Sequence, residues 1–146
     1  MRARKVYFQM YNISQIMIML FRPDKFAYWV KELRPTWYII PDALEDAEKT
    51  MQQAADWSKK HSDVPGKSIG VVQGKSYREI KDCYKAMDEI ANVDMIAISF
   101  DYSYYTESSP HANKYVSWML GRVKLLGDLL RDGVINKDKP HHLLGC

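Results

Sequence analysis

The chain has 146 residues, of which 47% are hydrophobic and 27% are charged. These values are typical of one globular domain and exclude a disordered chain. The net charge of +3 is compatible with a nucleic-acid partner but does not predict one. The basic surface of a nucleic-acid-binding protein usually carries more charge, clustered in one patch. Two cysteines, Cys83 and Cys146, exclude a disulfide framework, and there is no CxxC metal motif. No apolar run reaches the roughly 20 residues that span a bilayer, so we expect a cytoplasmic protein with no membrane partner.

The first 22 residues have no clear pattern, although residues 6–8 and 16–20 are each apolar enough to form a strand. From Pro23 the pattern becomes helical, since proline is favoured at the first helical position. Pro35 ends this helix. Four residues share its predicted inner face: Phe26, Trp29, Val30 and Leu33.

A strand and a long helix follow. Residues 37–40 are continuously apolar, as expected of a strand that is buried on both sides. Residues 43–60 have helical periodicity. The predicted inner face of this helix comprises Leu44, Ala47, Met51, Ala54, Ala55 and Ser58.

The next unit has the same order. Residues 68–73 form the second predicted strand, and Ser76 with Glu79 is a capping box that begins a helix. Residues 95–100 form the third predicted strand. The helix between them repeats apolar residues at helical spacing: Ile80, Cys83, Tyr84, Met87, Ile90 and Ala91.

The last unit begins with a polar, aromatic loop over residues 101–111. A helix is predicted over 112–132, and Gly133 is its expected stop. Residues 141–145 form the final predicted strand. The predicted inner face of the helix comprises Val116, Met119, Leu120, Val123, Leu126, Leu129 and Leu130.

Strands that alternate with helices in this way are parallel and joined by right-handed crossovers. The predicted fold is therefore α/β, with one domain over residues 1–146. A complete TIM-type (β/α) barrel takes about 250 residues, so this chain would be an incomplete barrel segment. A doubly wound sheet fits the length, although its GxGxxG fingerprint is absent. The pattern alone leaves both folds open.

Both folds bind ligands beyond the carboxyl ends of the strands. An acid, an amide, glycines and an aromatic ring follow the predicted strands: Asp42, Gln73, Gly74, Ser99, Phe100 and Gly145. This set suits a flat, hydrogen-bonding heterocycle. Gln73 offers both a donor and an acceptor, and Asp42 accepts from exocyclic N–H groups.

Each residue also has a structural interpretation. Asp42 could cap the helix that follows it, and Gln73 could be a polar strand end. Gly74 could serve only a turn, and Gly145 could be a packing position. The tyrosine-rich segment 101–105 could stack on bases, but such loops more often pack their tyrosines onto their own barrel rim.

Two other patterns do not indicate sites. The segment 74–76 reads Gly-Lys-Ser, but the first glycine of a phosphate-binding loop would fall at Ile69. His141 and His142 do not form a metal pair, because neighbouring strand residues point to opposite faces.

Several segments resemble the tRNA-guanine transglycosylase family. Residues 67–74 are similar to the family's Phe-Gly-Ile-Val-Gln-Gly strand, and residues 77–90 are similar to the helix after it. Residues 37–42 resemble the strand that presents a base-binding aspartate, and residues 141–145 resemble the Arg-Tyr-Leu-Met-Gly strand. The Leu-Leu-Gly-Cys ending resembles the branch found in phages and bacterial DNA-modification clusters.

This resemblance implies part of a base-exchange enzyme. In that family, guanine in tRNA or DNA is replaced by a 7-deazaguanine such as preQ0, preQ1 or queuine. Carried over, Asp42 and Gln73 would recognise the base, and Leu144 with Gly145 would form the floor of the pocket. The family's paired glycines would fall near Ser99 and Phe100, where this chain has no glycine. Lys75 also stands where the family has a second glycine.

The resemblance further implies that this chain is a fragment without catalytic residues. The nucleophilic aspartate and the zinc-binding cysteines of the family would lie beyond Cys146, and no Asp-Ser-Gly-Gly motif precedes residue 23. We therefore expect no cofactor in this chain, no activity by itself, and a second polypeptide as a candidate to complete the barrel. A non-catalytic nucleotide-binding α/β domain and an unrelated α/β protein without a ligand are the alternatives.

Overall fold

A computed structural model describes residues 22–90 and 92–145, so the candidate strands at 6–8 and 16–20 lie outside the described residues. Helices and strands alternate along the described chain. In order they are α1 (Pro23–Leu33), β1 (Trp37–Ile39), α2 (Ala47–Lys60), β2 (Lys67–Val72), α3 (Tyr77–Glu89), β3 (Met95–Ile98), α4 (Ser103–Ser108), α5 (Lys114–Arg131) and β4 (His141–Leu143).

The four strands form one sheet in the order β1-β2-β3-β4. Every neighbouring pair is parallel, and the register aligns Ile39 with Ile69, Ile69 with Met95, and Ile98 with Leu143. The predicted α/β fold with parallel strands is confirmed. The strand order follows the sequence without a reversal among the described strands.

The helices pack on one face of this sheet. Tyr38, Gly70 and His141 share that face by register. The Tyr38 ring lies 6.0 Å from that of Trp57 in α2, and a side chain at Gly70 would come within 2.8 Å of Met87 in α3. Right-handed crossovers between strands in sequential order place the connecting helices on the same side. The main core therefore lies between this face and the helices.

The opposite face of the sheet is also largely apolar. Val71 and Ala97 are buried but lie outside the core that the helices form. Ile69 and Met95 are half-buried on the same face, and Ile39 near its margin is 42% exposed. Sheets of parallel strands are normally covered on both faces. The apolar residues of the second face are those expected of a sheet face that other protein atoms cover.

The helix α2 begins later than predicted. The segment 43–45 forms a turn, and Asp46 is the N-cap, accepting a hydrogen bond from the Lys49 backbone N–H at 3.0 Å. Thr50 secures this turn, because its hydroxyl group bonds to both the N–H and the carbonyl of Ala43. The turn leaves Leu44 exposed.

The prediction of inner faces was wrong for several residues. Those predicted to face inward but exposed are Trp29, Leu33, Leu44, Ala55, Met119, Leu120, Val123 and Leu130. Those that are buried instead are Ala27, Thr50, Trp57, Ser117, Gly121 and Leu125. In α5 apolar residues surround most of the helix, so their spacing does not identify one face. The inward face is the one whose small residues, Ser117 and Gly121, let the helix approach closely.

Two further expectations need correction. β1 is an edge strand of the described sheet, so Ile39 is exposed and the strand is not buried on both sides. Residues 101–111 are not all loop, because residues 103–108 form the short helix α4. Gly133 does end α5, with a left-handed φ of 66°. Within the described residues, no helix combines the length and apolar character needed to cross a membrane.

Candidate functional site

The residues that follow β1 and β2 meet at the carboxyl edge of the sheet. The Gln73 Nε2 donates a hydrogen bond to the Asp42 Oδ2 at 2.6 Å. Gln73 is 3% exposed, whereas Asp42 remains exposed to solvent. The ends of neighbouring parallel strands thus bring the two side chains together, as their sequence positions suggest.

The environment of Asp42 disfavours its charged form. Surrounding protein atoms desolvate the carboxyl group and raise the pKa of Asp42, and the hydrogen bond from Gln73 partly opposes this shift. The residue keeps an exposed surface, but its carboxyl end is turned toward the protein and Gln73. Carboxyl groups with perturbed pKa values at strand ends are candidates for functional sites.

Asp42 does not cap the helix that follows it. That position belongs to Asp46, whose carboxylate accepts from the Lys49 N–H. Asp42 precedes the intervening turn, and its hydrogen bond runs to another strand end. The capping interpretation of Asp42 is therefore wrong.

Gln73 holds several loops together. Its Oε1 accepts a hydrogen bond from the Glu45 backbone N–H at 3.0 Å, and its own backbone N–H lies 3.4 Å from the Cys83 sulfur. The Glu45 carboxylate in turn accepts from the Ser103 N–H. Both ends of the Gln73 amide are thus engaged, so it positions Asp42. Sequence reasoning missed Glu45, because its left-handed turn, with φ of 53°, has no glycine to mark it.

Gly74 permits a close approach between two elements. A Cβ at this position would lie 2.8 Å from the Ile80 backbone N and 2.9 Å from the Glu79 Cβ. Ser76 caps α3 by accepting from the Glu79 N–H at 3.2 Å, as predicted. The Glu79 carboxylate accepts from the Lys75 N–H at 2.7 Å. The structure therefore explains Gly74 by its packing against the start of α3.

The edge above β3 is filled by tyrosines. The Tyr102 hydroxyl accepts from the Ser99 N–H at 3.1 Å and donates to the Val72 carbonyl. The Tyr105 hydroxyl donates to the Ser99 carbonyl at 2.7 Å, and the Ser99 hydroxyl donates to Asp101 at 2.6 Å. Tyr102 and Tyr105 are fully buried. These two tyrosines pack onto their own rim, which leaves Ser99 enclosed by protein groups.

The end of β4 is closed in a similar way. The Leu144 N–H continues the pairing with β3 by donating to the Ile98 carbonyl at 2.9 Å. The Leu144 carbonyl accepts from the Arg122 guanidinium at 2.9 Å. Gly145 has a φ of 71°, and a Cβ there would lie 2.1 Å from the Phe100 ring. Gly145 therefore lies directly against Phe100.

Two cavities border the loop that carries Asp42. One, of about 260 Å³ between α1 and α2, touches Pro41. Gln53 and His61 line it; the buried Gln53 Oε1 has no hydrogen-bond partner, and the His61 Nε2 lies 3.5 Å from the Asp24 carboxylate. The second is an open depression of about 490 Å³ that includes Glu45 and is mainly acidic. Its charged residues are Glu45, Asp46, Glu48, Lys75, Glu79 and Asp82.

Two further titratable side chains, Cys83 beside Gln73 and His141 at the start of β4, have shifted pKa values. Burial raises the pKa of the Cys83 thiol to about 11, so it stays protonated at neutral pH. His141 bonds to the Tyr84 hydroxyl at 2.7 Å, and desolvation lowers the pKa of His141. Among the described residues, no group of His, Cys, Asp and Glu side chains is arranged to hold a metal ion.

Comparisons with known proteins return no relative. The chain matches no protein-family model, and neither curated proteins nor solved structures include a match. The family resemblance of the strand-end segments therefore stays a prediction.

Proposed function

We propose that this chain is the base-recognition segment of a (β/α) barrel that exchanges guanine for a 7-deazaguanine in tRNA or DNA. Asp42 is the group that contacts the base, and Gln73 positions it. The hydrogen bond between these two residues at the ends of β1 and β2 carries the proposal. It joins the two segments whose sequences resemble the family's base-binding strands.

The strand arrangement supports a barrel segment. Strands in sequential order, with the helices on one face and apolar residues on the other, are what an arc of a (β/α) barrel requires. The inner wall of such a barrel is filled with branched and other apolar side chains. Val71, Ala97, Ile69 and Met95 have that character on the face away from the helices.

The recognition chemistry follows from the Asp42 carboxylate. Guanine and its 7-deaza analogues present adjacent N–H donors on one edge, and a carboxylate accepts from both. Gln73 fixes the rotamer of Asp42 through one carboxylate oxygen, which reduces the entropy lost on binding. This chain would bind and orient the base. The family's nucleophile, which attacks the sugar C1′, would lie beyond Cys146.

Calorimetric titration of the purified chain with preQ1 tests base recognition. Asp42→Ala should weaken binding by roughly 10- to 100-fold, because a hydrogen bond to a charged group contributes about 1.5–3 kcal/mol. Gln73→Ala should have a smaller effect, since it removes only the positioning contact. Asp42→Asn should also weaken binding, because an NH₂ donor replaces one of the two acceptor oxygens of the carboxylate.

Asp46→Asn is the matched control. It makes the same chemical change four positions away, and asparagine caps a helix as well as aspartate does. It should leave preQ1 affinity unchanged. Equal affinities for the wild type and Asp42→Asn would remove Asp42 from the site.

An exchange assay with labelled guanine in tRNA and DNA should show no turnover by this chain, and robust turnover would contradict the assignment of a fragment without a nucleophile.

A further inference from the structure

Both margins of the sheet are open among the described residues. β1 pairs with β2 alone and β4 pairs with β3 alone. All three residues of β4 are exposed, and so is Ile39 in β1. An open edge presents unpaired backbone N–H and C=O groups and acts as a template for another strand.

Next to the β4 edge, α5 exposes an apolar stripe. The Arg122 guanidinium reaches the Leu144 carbonyl at 2.9 Å, which identifies the side of α5 that faces the end of β4. Met119, Leu126 and Leu130 lie beside Arg122 on the helix, at spacings of i−3, i+4 and i+8. Met119 is 66% exposed and Leu130 is 55% exposed.

Next to the β1 edge, α1 exposes a similar surface. The Phe26 ring anchors this helix, with its centroid 6.5 Å from that of Tyr38 in β1. Trp29 and Leu33, at spacings of i+3 and i+7 from Phe26, share one side of the helix, and they are 50% and 70% exposed. Both ends of the arc therefore combine an open strand edge with an apolar helix surface.

We propose that two copies of this chain associate head to tail and close one barrel. The β4 edge of each copy would pair with the β1 edge of the other. A closed (β/α) barrel has eight strands, and the described arc contains four in sequential order. A two-fold axis along the barrel axis keeps all strands parallel and pairs both open edges of the described sheet, so the assembly closes without extending into a filament.

The helices also fit this arrangement. In a (β/α) barrel, the helix that precedes a strand covers the junction with the previous strand. The α1 helix of one copy would then lie over β4 of the other, with Trp29 and Leu33 against Met119 and Leu143. A dimer held by two such junctions would need to bury on the order of 1,600 Å², the size of a standard specific interface.

Light scattering coupled to size exclusion tests the assembly. We expect the wild-type chain to have twice the mass of one chain. Met119→Glu in α5 and Trp29→Glu in α1 should each raise the dimer dissociation constant by at least about 100-fold, because two unpaired carboxylates per dimer would lose their hydration. Leu44→Glu is the matched control, since Leu44 is 60% exposed and lines the depression between α2 and the start of α3. It should leave the mass unchanged.

Mixing the two variants provides the sharpest test. A dimer of one Met119→Glu chain and one Trp29→Glu chain has one intact junction, so the mixture should contain more dimer than either variant alone. A monomeric wild type, an open series of larger oligomers, or dissociation by Met119→Glu but not by Trp29→Glu would each overturn the proposal. The variants and the wild type, all diluted until monomeric, should have the same melting temperature. Such agreement would show that the replaced side chains do not disrupt the monomer fold.

This inference depends on the proposed barrel arc but not on base recognition. A barrel of two copies would bind the base without exchanging it, because neither copy carries the nucleophile in the proposed function. A monomeric chain that binds preQ1 through Asp42 would disprove the dimer alone. A dimer whose preQ1 affinity does not respond to Asp42→Asn would disprove the proposed function alone.

Discussion

The two halves of the carboxyl edge are built from different interactions. Above β1 and β2 the edge is polar, with Asp42 exposed and linked to Gln73. Above β3 and β4 it is filled by the buried tyrosines Tyr102 and Tyr105 and by Phe100 lying over Gly145. The first half presents a hydrogen-bonding group to solvent, and the second presents little but packed rings.

The difference shows where a ligand can be recognised in this chain. Ser99 and Gly145 occupy strand ends where the sequence predicts a site. The buried tyrosines enclose Ser99, and the Phe100 ring lies directly against Gly145, which is itself exposed. Asp42 occupies a strand end where hydrogen bonds tie the neighbouring loops together and where the residue keeps an exposed surface. The same edge of one sheet thus combines a packed, stabilising half with an accessible half.

The largest expected effect is on the packed half. In Gly121→Ala the new Cβ would lie 2.4 Å from the Tyr105 Cβ and 2.5 Å from its Cα, so backbone would have to move. We expect the free energy of unfolding to fall by about 3 kcal/mol, at the upper end for overpacking. Gly127→Ala is the control in the same helix, because nothing lies within 4 Å of its Cβ position.

In urea denaturation at one protein concentration, Gly127→Ala should gain up to about 1 kcal/mol from helix propensity. Equal free energies of unfolding for the two alanine variants would show that Gly121 of α5 does not pack against Tyr105.

The second prediction concerns the hydroxyl group that links β2 to β3. Tyr102→Phe removes the acceptor of the Ser99 N–H and the donor to the Val72 carbonyl, leaving two buried groups unpaired. The free energy of unfolding should fall by about 1–3 kcal/mol. Tyr115→Phe, at a site that is 61% exposed, should change it little. A Tyr102→Phe variant as stable as the wild type would mean that these buried groups find other partners.

The smallest effect is expected on the polar half. Because the pKa of Asp42 is raised in the folded protein, folding favours its protonated form. That stabilisation is complete below the unfolded pKa of about 3.9 and is lost as pH rises through the folded pKa. Asp42→Asn keeps an acceptor for Gln73 and removes the charge, so its melting temperature near neutral pH should equal or exceed that of the wild type.

Thermal melts across pH check this expectation. The difference between Asp42→Asn and the wild type should shrink toward about pH 4, where the wild-type carboxyl becomes protonated. Asp46→Asn, which retains its cap, should show no comparable gain at neutral pH. A lower melting temperature for Asp42→Asn at neutral pH would show that the carboxylate stabilises the fold.

Local patterns in the sequence predicted much of the fold. Alternating apolar runs and helical segments predicted parallel strands in an α/β arrangement. Ser76 and Gly133 marked a helix start and a helix end, because capping and left-handed turns depend on residues only a few positions apart. The positions of Asp42 and Gln73 after successive strands also predicted that their side chains meet, since the geometry of parallel neighbours requires it.

Tertiary contacts decided the features that local patterns leave open. In α5 the apolar residues occupy nearly the whole circumference, and the inward face is the one where Gly121 allows Tyr105 to approach. In the loop after β3, Tyr102 turns inward because unpaired backbone groups of β2 and β3 are within reach of its hydroxyl. Periodicity reports how residues are spaced along one element. Which face is buried, and which polar group is satisfied, depends on close contacts with residues distant in the sequence.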